Sequence, residues 1–598
     1  MKIYRQLKKH YAYLIAAALL IFVFTICVFS IKDDSLTFDE VAHIPAGYSY
    51  LTQRDYRLNP EHPPLIKDLS AIPLLFLDLN FPEEHSSWTQ EENPAWWFQF
   101  DFGTKFLYQS NNNPDQILFW ARIPMIFVFT LLGLCIFLWT KQSFGTSPAL
   151  LSLFLFCFSP TFLAHGRLVT TDIGAALGTV LSTYFWLKFL KNPKRKNIIL
   201  AGLAFGFSML LKFSLVLLLP FLAIITLVYA LLNAKKKKYF PNILKYAVLS
   251  ASVLAIGFLC VVLPVYQYHI SNYPIDRQMR DTEFILSTTN TLPFLKNLNI
   301  AMASNPILRA LGQYLLGILM VLSRSSGGNS TYFLGEISAT AWKTYFPVVY
   351  AIKEPLAFHI LTITALLYAS WHRKSSSNLK TYFTNKVQWI KRHFTEFSML
   401  VFIAIYWIMS LTSNLNIGVR HLLPTFPFIF ILVSVTITRL LKEPYLKIKY
   451  IALSGLIIWQ FCSVVAIYPH FLAYFNEIVG GAEDSYMYVT DSNLDWGQDL
   501  KRLKIWTDKN NIDKIYVDYF GGGNPEYYLK EKYMPWNNRH SANQLQESNY
   551  LAVSVNCLQG GRAEPVKGFE QPSSYYRWLD EYQPVAKIGY SIFIYKIR

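Results

Sequence analysis

Long apolar stretches constrain this chain more than any other feature of its sequence. About eleven of them, each near the roughly 20 residues that cross a hydrocarbon core, recur between residues 11 and 468. Residues 469–598 lack such stretches and alternate short β-like runs with helical or loop segments. The pattern predicts a mostly α-helical, polytopic membrane part over 1–468, followed by a small α/β domain over 469–598.

The predicted spans can be placed from the apolar runs alone. They cover residues 11–31, 117–140, 148–165, 173–190, 198–212, 215–233, 246–268, 344–370, 396–412, 422–438 and 450–468. With this count, two long connections, about 33–115 and 269–343, emerge on the same side as the C-terminal domain. The expected strands of that domain are Tyr486–Val489, Ile515–Tyr519, Tyr550–Val555 and Ser591–Ile597.

The distribution of positive charge indicates the orientation. The net charge is +17, and Lys and Arg are concentrated in six short segments between the spans. These segments are Met1–His10, the turn at Lys141, Lys188–Asn197, Lys235–Lys245, Trp371–His393 and Arg439–Lys449, and Glu443 is their only acidic residue. By the positive-inside rule they face the cytoplasm, which predicts a cell-membrane protein with a cytoplasmic N-terminus and an extracytoplasmic C-terminal domain. The basic excess therefore does not indicate nucleic-acid binding.

Two adjacent carboxylates, Asp39 and Glu40, follow the first predicted span. Charge placed where the chain leaves the hydrocarbon is costly unless it is used or paired. A carboxylate in a partly dehydrated site can accept a proton from a hydroxyl group. Asp39 is therefore the candidate base, with Glu40 beside it; the alternative is an acidic pair that merely ends a helix in water.

A second group of candidate residues lies further along the same connection. Arg57, His62 and Lys67 are interleaved with Pro60, Pro63 and Pro64. Proline stiffens the chain, and cationic donors suit phosphate oxygens, so this segment is a candidate phosphate-binding loop. A turn-rich interfacial loop explains the same pattern equally well.

Three further connections on the predicted outer side carry charge. They hold Arg167 with Asp172, Lys212, and Arg420 with His421. Taken singly, these residues can be a structural salt bridge or cations that anchor span ends. Their delivery to one face of the membrane favours a site for an anionic lipid headgroup and a polar acceptor.

At these residues the chain resembles the GT-C fold glycosyltransferases of family thirty-nine, which include protein O-mannosyltransferases and lipid A aminoarabinose transferases, in their bacterial polyprenyl-phosphate-dependent subgroup. Asp39-Glu40 resembles the acidic signature of the family, His62-Pro63-Pro64 its Pro-Pro motif, and Arg167–Asp172 its second loop. Further similar elements are Tyr345-Phe346-Pro347, Lys353-Glu354-Pro355, Gly418–Pro424, Asp491–Asp499 and Ile588–Tyr595. Aminoarabinose transferases carry Lys before the paired prolines where this chain has His62, so the sugar and the acceptor do not transfer with the fold.

The resemblance implies an inverting transfer of a sugar from a polyprenyl-phosphate lipid to a protein, lipid or glycan acceptor outside the cytoplasm. Asp39 would take the acceptor proton, and Arg420, Lys212 or His62 would stabilise the leaving phosphate. Glu40 or Asp172 would orient the acceptor. In the C-terminal domain, Asp491 and Asp495 are candidate acceptor contacts, which Asx turns explain equally well. A divalent cation can assist phosphate departure, but the sequence shows no dedicated ligand spacing.

Two other classes of protein are compatible with this pattern. A lipid flippase or transporter would need ionisable residues at mid-membrane depth and repeated halves, whereas the charges here lie at span ends. A noncatalytic scaffold would tolerate replacement of Asp39 without loss of activity.

Overall fold

The computed structural model describes residues 2–90, 92–235, 238–371, 379–444, 447–545 and 547–597. Parts of four basic segments, residues 1, 236–237, 372–378 and 445–446, lie outside the described residues. The described chain is mostly α-helical, with two small sheets, and this confirms the predicted fold class.

The α-helices in chain order are α1 (Lys2–Ser30), α2 (Glu40–Thr52), α3 (Leu65–Ala71), α4 (Ser86–Thr89), α5 (Gln99–Tyr108), α6 (Pro114–Phe144), α7 (Thr146–Cys157), α8 (Pro160–His165), α9 (Thr171–Lys191), α10 (Arg195–Met209), α11 (Leu218–Leu232), α12 (Tyr239–Gly257), α13 (Leu263–His269), α14 (Ile275–Ser287), α15 (Pro293–Ala303), α16 (Arg309–Gly327), α17 (Tyr345–Lys353), α18 (Leu356–Trp371), α19 (Leu379–Arg392), α20 (Phe394–Thr412), α21 (Phe426–Lys442), α22 (Ile448–Ala466), α23 (Gly481–Asp484), α24 (Leu500–Lys509), α25 (Pro525–Leu529) and α26 (Val555–Gly560). The strands are β1 (Thr331–Phe333), β2 (Glu336–Ser338), β3 (Ile515–Asp518), β4 (Tyr533–Pro535), β5 (Tyr550–Ser554), β6 (Glu564–Pro565), β7 (Pro584–Ile588) and β8 (Ile592–Lys596).

Eight helical segments of the described chain are long and apolar enough to cross a membrane. A ninth is the pair α17 and α18, which bends by 113° at its break. The remaining predicted spans correspond to α10 and to the short apolar helix α7. The chain is therefore a multi-pass membrane protein, as the sequence predicts.

Two predicted spans are not continuous helices. The span predicted at 148–165 divides into α7 and α8, because Pro160 lacks an N–H and the Ser159 side chain caps the new helix at Phe162 N. The span predicted at 344–370 breaks at Glu354, whose extended backbone is the conformation expected before Pro355.

The two long connections fold into short helices against one end of the bundle. The first contains α2 to α5, where α2 packs on α3 and α5, and α3 packs on α6. The second contains α14 to α16 and the antiparallel pair β1 and β2, which β6 extends in parallel. Strand β6 belongs to the C-terminal part of the chain, so this three-stranded sheet joins the second connection to it.

The C-terminal part forms a five-stranded sheet in the order β4-β3-β5-β8-β7. Strand β3 is parallel to β4 and β5, and β8 is antiparallel to β5 and β7. Helix α24 packs Leu500 and Leu503 into the same core as Ile515 and Ile592. Three of the four predicted strands are confirmed. The prediction for Tyr486–Val489 is wrong, because this stretch begins as a 3-10 turn and makes a single bridge from Val489 to Phe333.

Candidate active site

A cavity of about 510 Å³ opens where the two long connections meet the ends of the membrane helices. One wall is apolar and is built largely from the segments that begin at Phe213 and Ile318. The polar wall carries Asp39, His43, Glu61, His62, Lys212, Arg324, Arg420 and His421. A cavity with one apolar wall and one charged wall suits an amphipathic ligand with an anionic head.

Arg420 lies at the centre of the charged wall. Its Nη1 atom lies 2.9 Å from Asp39 Oδ2 and 3.5 Å from Asp172 Oδ2. Its Nε donates to Ser492 Oγ at 3.1 Å, and its guanidinium lies 4.1 Å from the ring centroid of Trp496. These contacts hold the guanidinium on several sides, so its position relative to Asp39 is well defined.

Lys212 completes an alternating row of charges. Its Nζ lies 2.5 Å from Asp172 Oδ1. The row Asp39, Arg420, Asp172 and Lys212 comes from four separate connections, which the sequence analysis had placed on one face. Because its two negative charges balance its two positive ones, an anionic ligand needs further positive charge from the cavity.

Arg324 is a further cation of the cavity that sequence reasoning missed, and an anionic ligand can share it with Glu61. It lies near the end of α16, lines the cavity and pairs with Glu61 Oε2 at 3.3 Å. Half of its side chain is exposed, so the guanidinium can reach a ligand. The signal that could have found it is the Gly-rich patch Ser325–Asn329, which directly follows this arginine.

Helix α2 presents Asp39 to the cavity. Asp39 is the N-cap residue of α2, yet its side chain makes no capping hydrogen bond and turns to Arg420 instead. The preceding segment is held by the C-terminal domain, since Phe38 N donates to Trp496 O at 3.0 Å. Burial disfavours the charged carboxylate, but the Arg420 guanidinium, together with His43 and Arg324, outweighs burial, so the pKa of Asp39 is lowered. Asp39 is therefore a carboxylate at neutral pH.

Two histidines form an edge of the polar wall. The His43 and His62 rings meet edge to face with centroids 5.0 Å apart, and His43 Nδ1 lies 2.9 Å from Val169 O. Burial lowers the pKa of His43, and lowers that of His62 well below its usual value. His62 therefore offers hydrogen bonds to a ligand but no charge, unlike the phosphate-binding cation that the sequence predicts.

Glu40 does not line the cavity. It is fully buried, and both of its oxygens accept from Arg122, at 2.8 and 2.6 Å. It also accepts from Thr37 N and Val169 N, each at 2.9 Å. Burial opposes its charge, but Arg122 outweighs burial and lowers its pKa. The prediction of a catalytic role is corrected: Glu40 fixes the turn that carries Asp39.

Two other predicted phosphate ligands are also held away from the cavity. Arg57 pairs with Asp55 at 2.5 Å and stacks on a neighbouring indole. Lys67 is buried and donates to Asn59 O and Oδ1 at 2.8 Å, to His62 O at 2.9 Å, and to a tyrosine hydroxyl. Because its donors are taken by this loop, Lys67 holds His62 in place and does not bind phosphate.

Arg167 does not pair with Asp172 as the sequence suggested. Its Nη1 lies 2.6 Å from Asp34 Oδ2 and donates to Ser30 O at 3.0 Å. Asp34 also pairs with Arg502 of the C-terminal domain at 2.8 Å. Arg167 therefore belongs to a buried ionic cluster behind the cavity.

The two candidates in the C-terminal domain lie outside the cavity lining. Asp495 is fully buried and accepts from Asn556 N at 2.9 Å, and burial raises its pKa to about 8. Asp491 is half-buried, and burial, opposed by Arg420, raises its pKa to about 6. Neither residue lines the cavity. Ser492 and Trp496 of the same segment contact Arg420 instead.

Metal binding has no preformed centre in the described part of the chain. No group of three or more His, Cys, Asp or Glu residues there is arranged to hold an ion. The divalent cation that the sequence analysis left open stays a prediction.

A protein-family model matches the part of the chain that contains helices α6 to α12. Residues 115–265 match the family described as dolichyl-phosphate-mannose-protein mannosyltransferase. No curated protein sequence matches the chain.

Several solved structures are similar to this one at low sequence identity. The oligosaccharyltransferase AglB from Archaeoglobus fulgidus is 13% identical, with a TM-score of 0.45 over 92% of this chain and 70% of that one. The S. cerevisiae Pmt1-Pmt2 complex is 11% identical, with a TM-score of 0.49 over 76% of this chain and 88% of that one. ArnT from Cupriavidus metallidurans is 11% identical, with a TM-score of 0.30 over 99% and 98%. Each TM-score lies below 0.5, so the site is argued from its own geometry.

The family match confirms the class that the sequence predicts, a membrane-embedded glycosyltransferase. The chain resembles the mannosyltransferase type of GT-C enzymes.

Proposed function

We propose that this protein transfers a sugar from a polyprenyl-phosphate carrier to a hydroxyl group of a protein, lipid or glycan on the extracytoplasmic side of the cell membrane. The observation that carries the proposal is the row Asp39, Arg420, Asp172 and Lys212, of which Asp39, Arg420 and Lys212 line a cavity that also has an apolar wall, while Asp172 lies behind them and pairs with both cations.

The donor would lie with its isoprenoid chain against the apolar wall and its phosphate near Lys212 and Arg324. Lys212 is only slightly exposed, so its charge acts with little screening by water. As the bond from the anomeric carbon to the phosphate oxygen breaks, negative charge grows on the phosphate. A positioned cation stabilises that charge, and such a group is typically worth about 10²–10³ in rate.

The acceptor hydroxyl would bind at Asp39. Asp39 Oδ2 is held by Arg420, and Oδ1 has no hydrogen bond to the described residues. As the acceptor oxygen bonds to the anomeric carbon, its proton passes to the Asp39 carboxylate, and the electron pair of the broken bond leaves with the phosphate. Attack opposite the leaving phosphate inverts the anomeric configuration.

The test is the fate of the donor in vesicles that contain the purified protein. A panel of polyprenyl-phosphate sugars labelled in the sugar is supplied with a candidate acceptor extract. The labelled carrier lipid, the labelled acceptor and the free sugar released into water are then separated and counted. Label that moves from carrier to acceptor supports transfer. Donor that crosses the bilayer with its sugar intact would indicate a flippase and would contradict the proposal.

The divalent cation is tested in the same assay. Addition of EDTA, followed by restoration with Mg²⁺ or Mn²⁺, decides whether phosphate departure needs an ion in addition to Lys212 and Arg324.

A further inference from the structure

A buried lysine lies at the break between α17 and α18. Lys353 is 2% exposed, and its Nζ donates to the backbone carbonyls of Leu472 at 2.8 Å, Tyr474 at 2.7 Å and Asn493 at 2.7 Å. An ammonium group has three donors, so all of them are used. Lys353 does not line the cavity and cannot serve as a ligand for the substrate.

The residue that Lys353 holds leads directly to the site. Asn493 Oδ1 accepts from Val419 N at 2.9 Å, and its Nδ2 donates to the Tyr345 hydroxyl at 2.9 Å. The preceding residue, Ser492, accepts from Arg420 Nε at 3.1 Å. Two consecutive residues of the C-terminal segment therefore hold two consecutive residues of the turn that carries the site arginine.

The same segment also supplies the ring beneath the guanidinium. Trp496 lies three positions after Asn493, and its ring centroid is 4.1 Å from Arg420 Cζ. A second anchor secures the segment from Leu472 onward, because Asn476 Nδ2 donates to Ala351 O and Glu354 O. The helix break and the C-terminal segment are thus joined by several buried hydrogen bonds, of which the lysine makes three.

We propose that Lys353 is a positioning residue, which sets the location of the Arg420 guanidinium relative to Asp39 by holding the segment that contains Ser492, Asn493 and Trp496. The inference rests on the proposed roles of Asp39 and Arg420 in sugar transfer. The Lys353-Glu354-Pro355 motif does not line the cavity, and this inference gives it a structural role in positioning Arg420.

The variant Lys353→Met removes the three donors with little change in volume. If Arg420 then moves away from Asp39, the charge that keeps Asp39 ionised is weakened. The other charged or titratable groups that act on Asp39 are His43 on α2, Arg324 on α16 and Asp491. Asp491 belongs to the segment that Lys353 holds, but its movement away from Asp39 would lower the pKa of Asp39, so a shift to higher pH reports the loss of Arg420. The ionisation of Asp39 is therefore a direct report on the position of Arg420.

Carboxyl labelling measures this ionisation without any sugar transfer. A carbodiimide with glycinamide modifies protonated carboxyl groups, and Asp39 is reachable because 24% of its side chain is exposed. Modification of the Asp39 peptide is followed by mass spectrometry against pH in vesicles. For Lys353→Met we expect the labelling curve to move to higher pH by about one unit, because partial loss of a nearby opposite charge has an effect of this order.

A second variant and a control separate positioning from general destabilisation. Ser492→Ala removes the hydroxyl that Arg420 Nε contacts, and it should move the curve in the same direction. Gln460→Leu, on α22, removes the buried hydrogen bond that Gln460 Nε2 donates to Phe158 O, and it should lower the melting temperature without moving the curve.

The outcomes are distinct. An Asp39 curve that is unchanged in Lys353→Met overturns the inference. If Lys353→Met does not fold, an unchanged Asp39 curve in Ser492→Ala overturns the inference instead. A wild-type protein that consumes no donor contradicts the proposed function, whereas the labelling curves still decide the positioning role. In an active protein, Lys353→Met should also lower kcat more than it raises the donor KM, with the acid limb of the rate profile moved to higher pH.

Discussion

Arg420 is the strongest of the neighbours that keep Asp39 ionised. Burial would raise the pKa of Asp39, but Arg420 at 2.9 Å, together with His43 and Arg324, outweighs burial, and the pKa is lowered. A base with a lowered pKa is unprotonated, and hence competent, above that pKa, and it is lost only as the pH falls through it. The wild-type rate should therefore show no acid limb from Asp39 above about pH 4.

Substitution of the arginine should move that limb. In Arg420→Gln we expect a limb at higher pH together with a rate that falls by up to about 10²-fold, since Asp39 loses the cation that holds and ionises it. Single-turnover rates between pH 4 and 8 measure both effects. A limb at the same pH as in the wild type would show that Arg420 does not control Asp39.

A separate prediction concerns Lys212 and the departure of the phosphate. In Lys212→Met, Asp172 keeps only Arg420 as a partner, and we expect transfer to fall about 10²-fold. Lys501→Met, which removes a lysine paired with Asp115 away from the cavity, is the matched control and should transfer normally. Donor turnover in vesicles provides the measurement. Equal loss in both variants would contradict a specific role for Lys212.

The candidate residues could be predicted better than their partners. Asp39, Asp172, Lys212 and Arg420 each stand at the end of an apolar run, so the sequence places them on one face. Which arginine meets which carboxylate depends on contacts between distant segments. For this reason the pairing of Asp34 with Arg167, and the burial that makes His62 neutral, could not be read from sequence spacing.

At the scale of elements, the turn before α21 depends on a glycine. Gly418 has φ +143°, and a Cβ atom there would lie 2.3 Å from Ser492 Oγ. Gly418→Ala should therefore separate this turn from the C-terminal segment, which displaces Arg420 and lowers both transfer and the melting temperature. Gly455→Ala on α22 is the control, because its Cβ would meet nothing within 4 Å. Thermal unfolding and donor turnover of both variants test this.

Normal transfer by Gly418→Ala would contradict the account of this turn.

The rest of the helical scaffold followed from apolar length, and the eight long spans confirm it. The breaks at Pro160 and Pro355 were missed, because proline inside an apolar run is also compatible with a kinked but continuous helix. The failed strand at Tyr486–Val489 reflects a β-like composition in a segment that contacts β1 through a single bridge and does not extend the sheet.

At the scale of the whole molecule, a buried cluster joins the C-terminal domain to the bundle. Asp34 lies 2.6 Å from Arg167, 3.7 Å from Arg122 and 2.8 Å from Arg502. Burial would raise the pKa of Asp34, but Arg167 and Arg502 outweigh it and lower the pKa. The contribution of Asp34 to stability is therefore complete above its unfolded pKa and is lost as the pH falls through the folded value.

Removal of this charge should loosen the domain. Asp34→Asn leaves buried guanidinium groups without their counter-charge, and we expect the free energy of unfolding to fall by about 3–5 kcal/mol. Asp508→Asn, at a half-exposed carboxylate of the same domain, should change it by about 0.5 kcal/mol or less. Limited proteolysis between α22 and the sheet, together with thermal unfolding, measures the effect. Equal stability of the two variants would show that the cluster does not hold the domain.

The central claim is that Asp39 takes the proton of the acceptor during sugar transfer. The measurement compares transfer of labelled sugar from polyprenyl phosphate by the wild type, Asp39→Asn and Asp78→Asn, in which Asp78 is an exposed aspartate of the same connection. We predict that transfer falls at least about 10²-fold in Asp39→Asn, with the protein folded and inserted, and persists in Asp78→Asn. Equal transfer by wild type and Asp39→Asn would contradict the account.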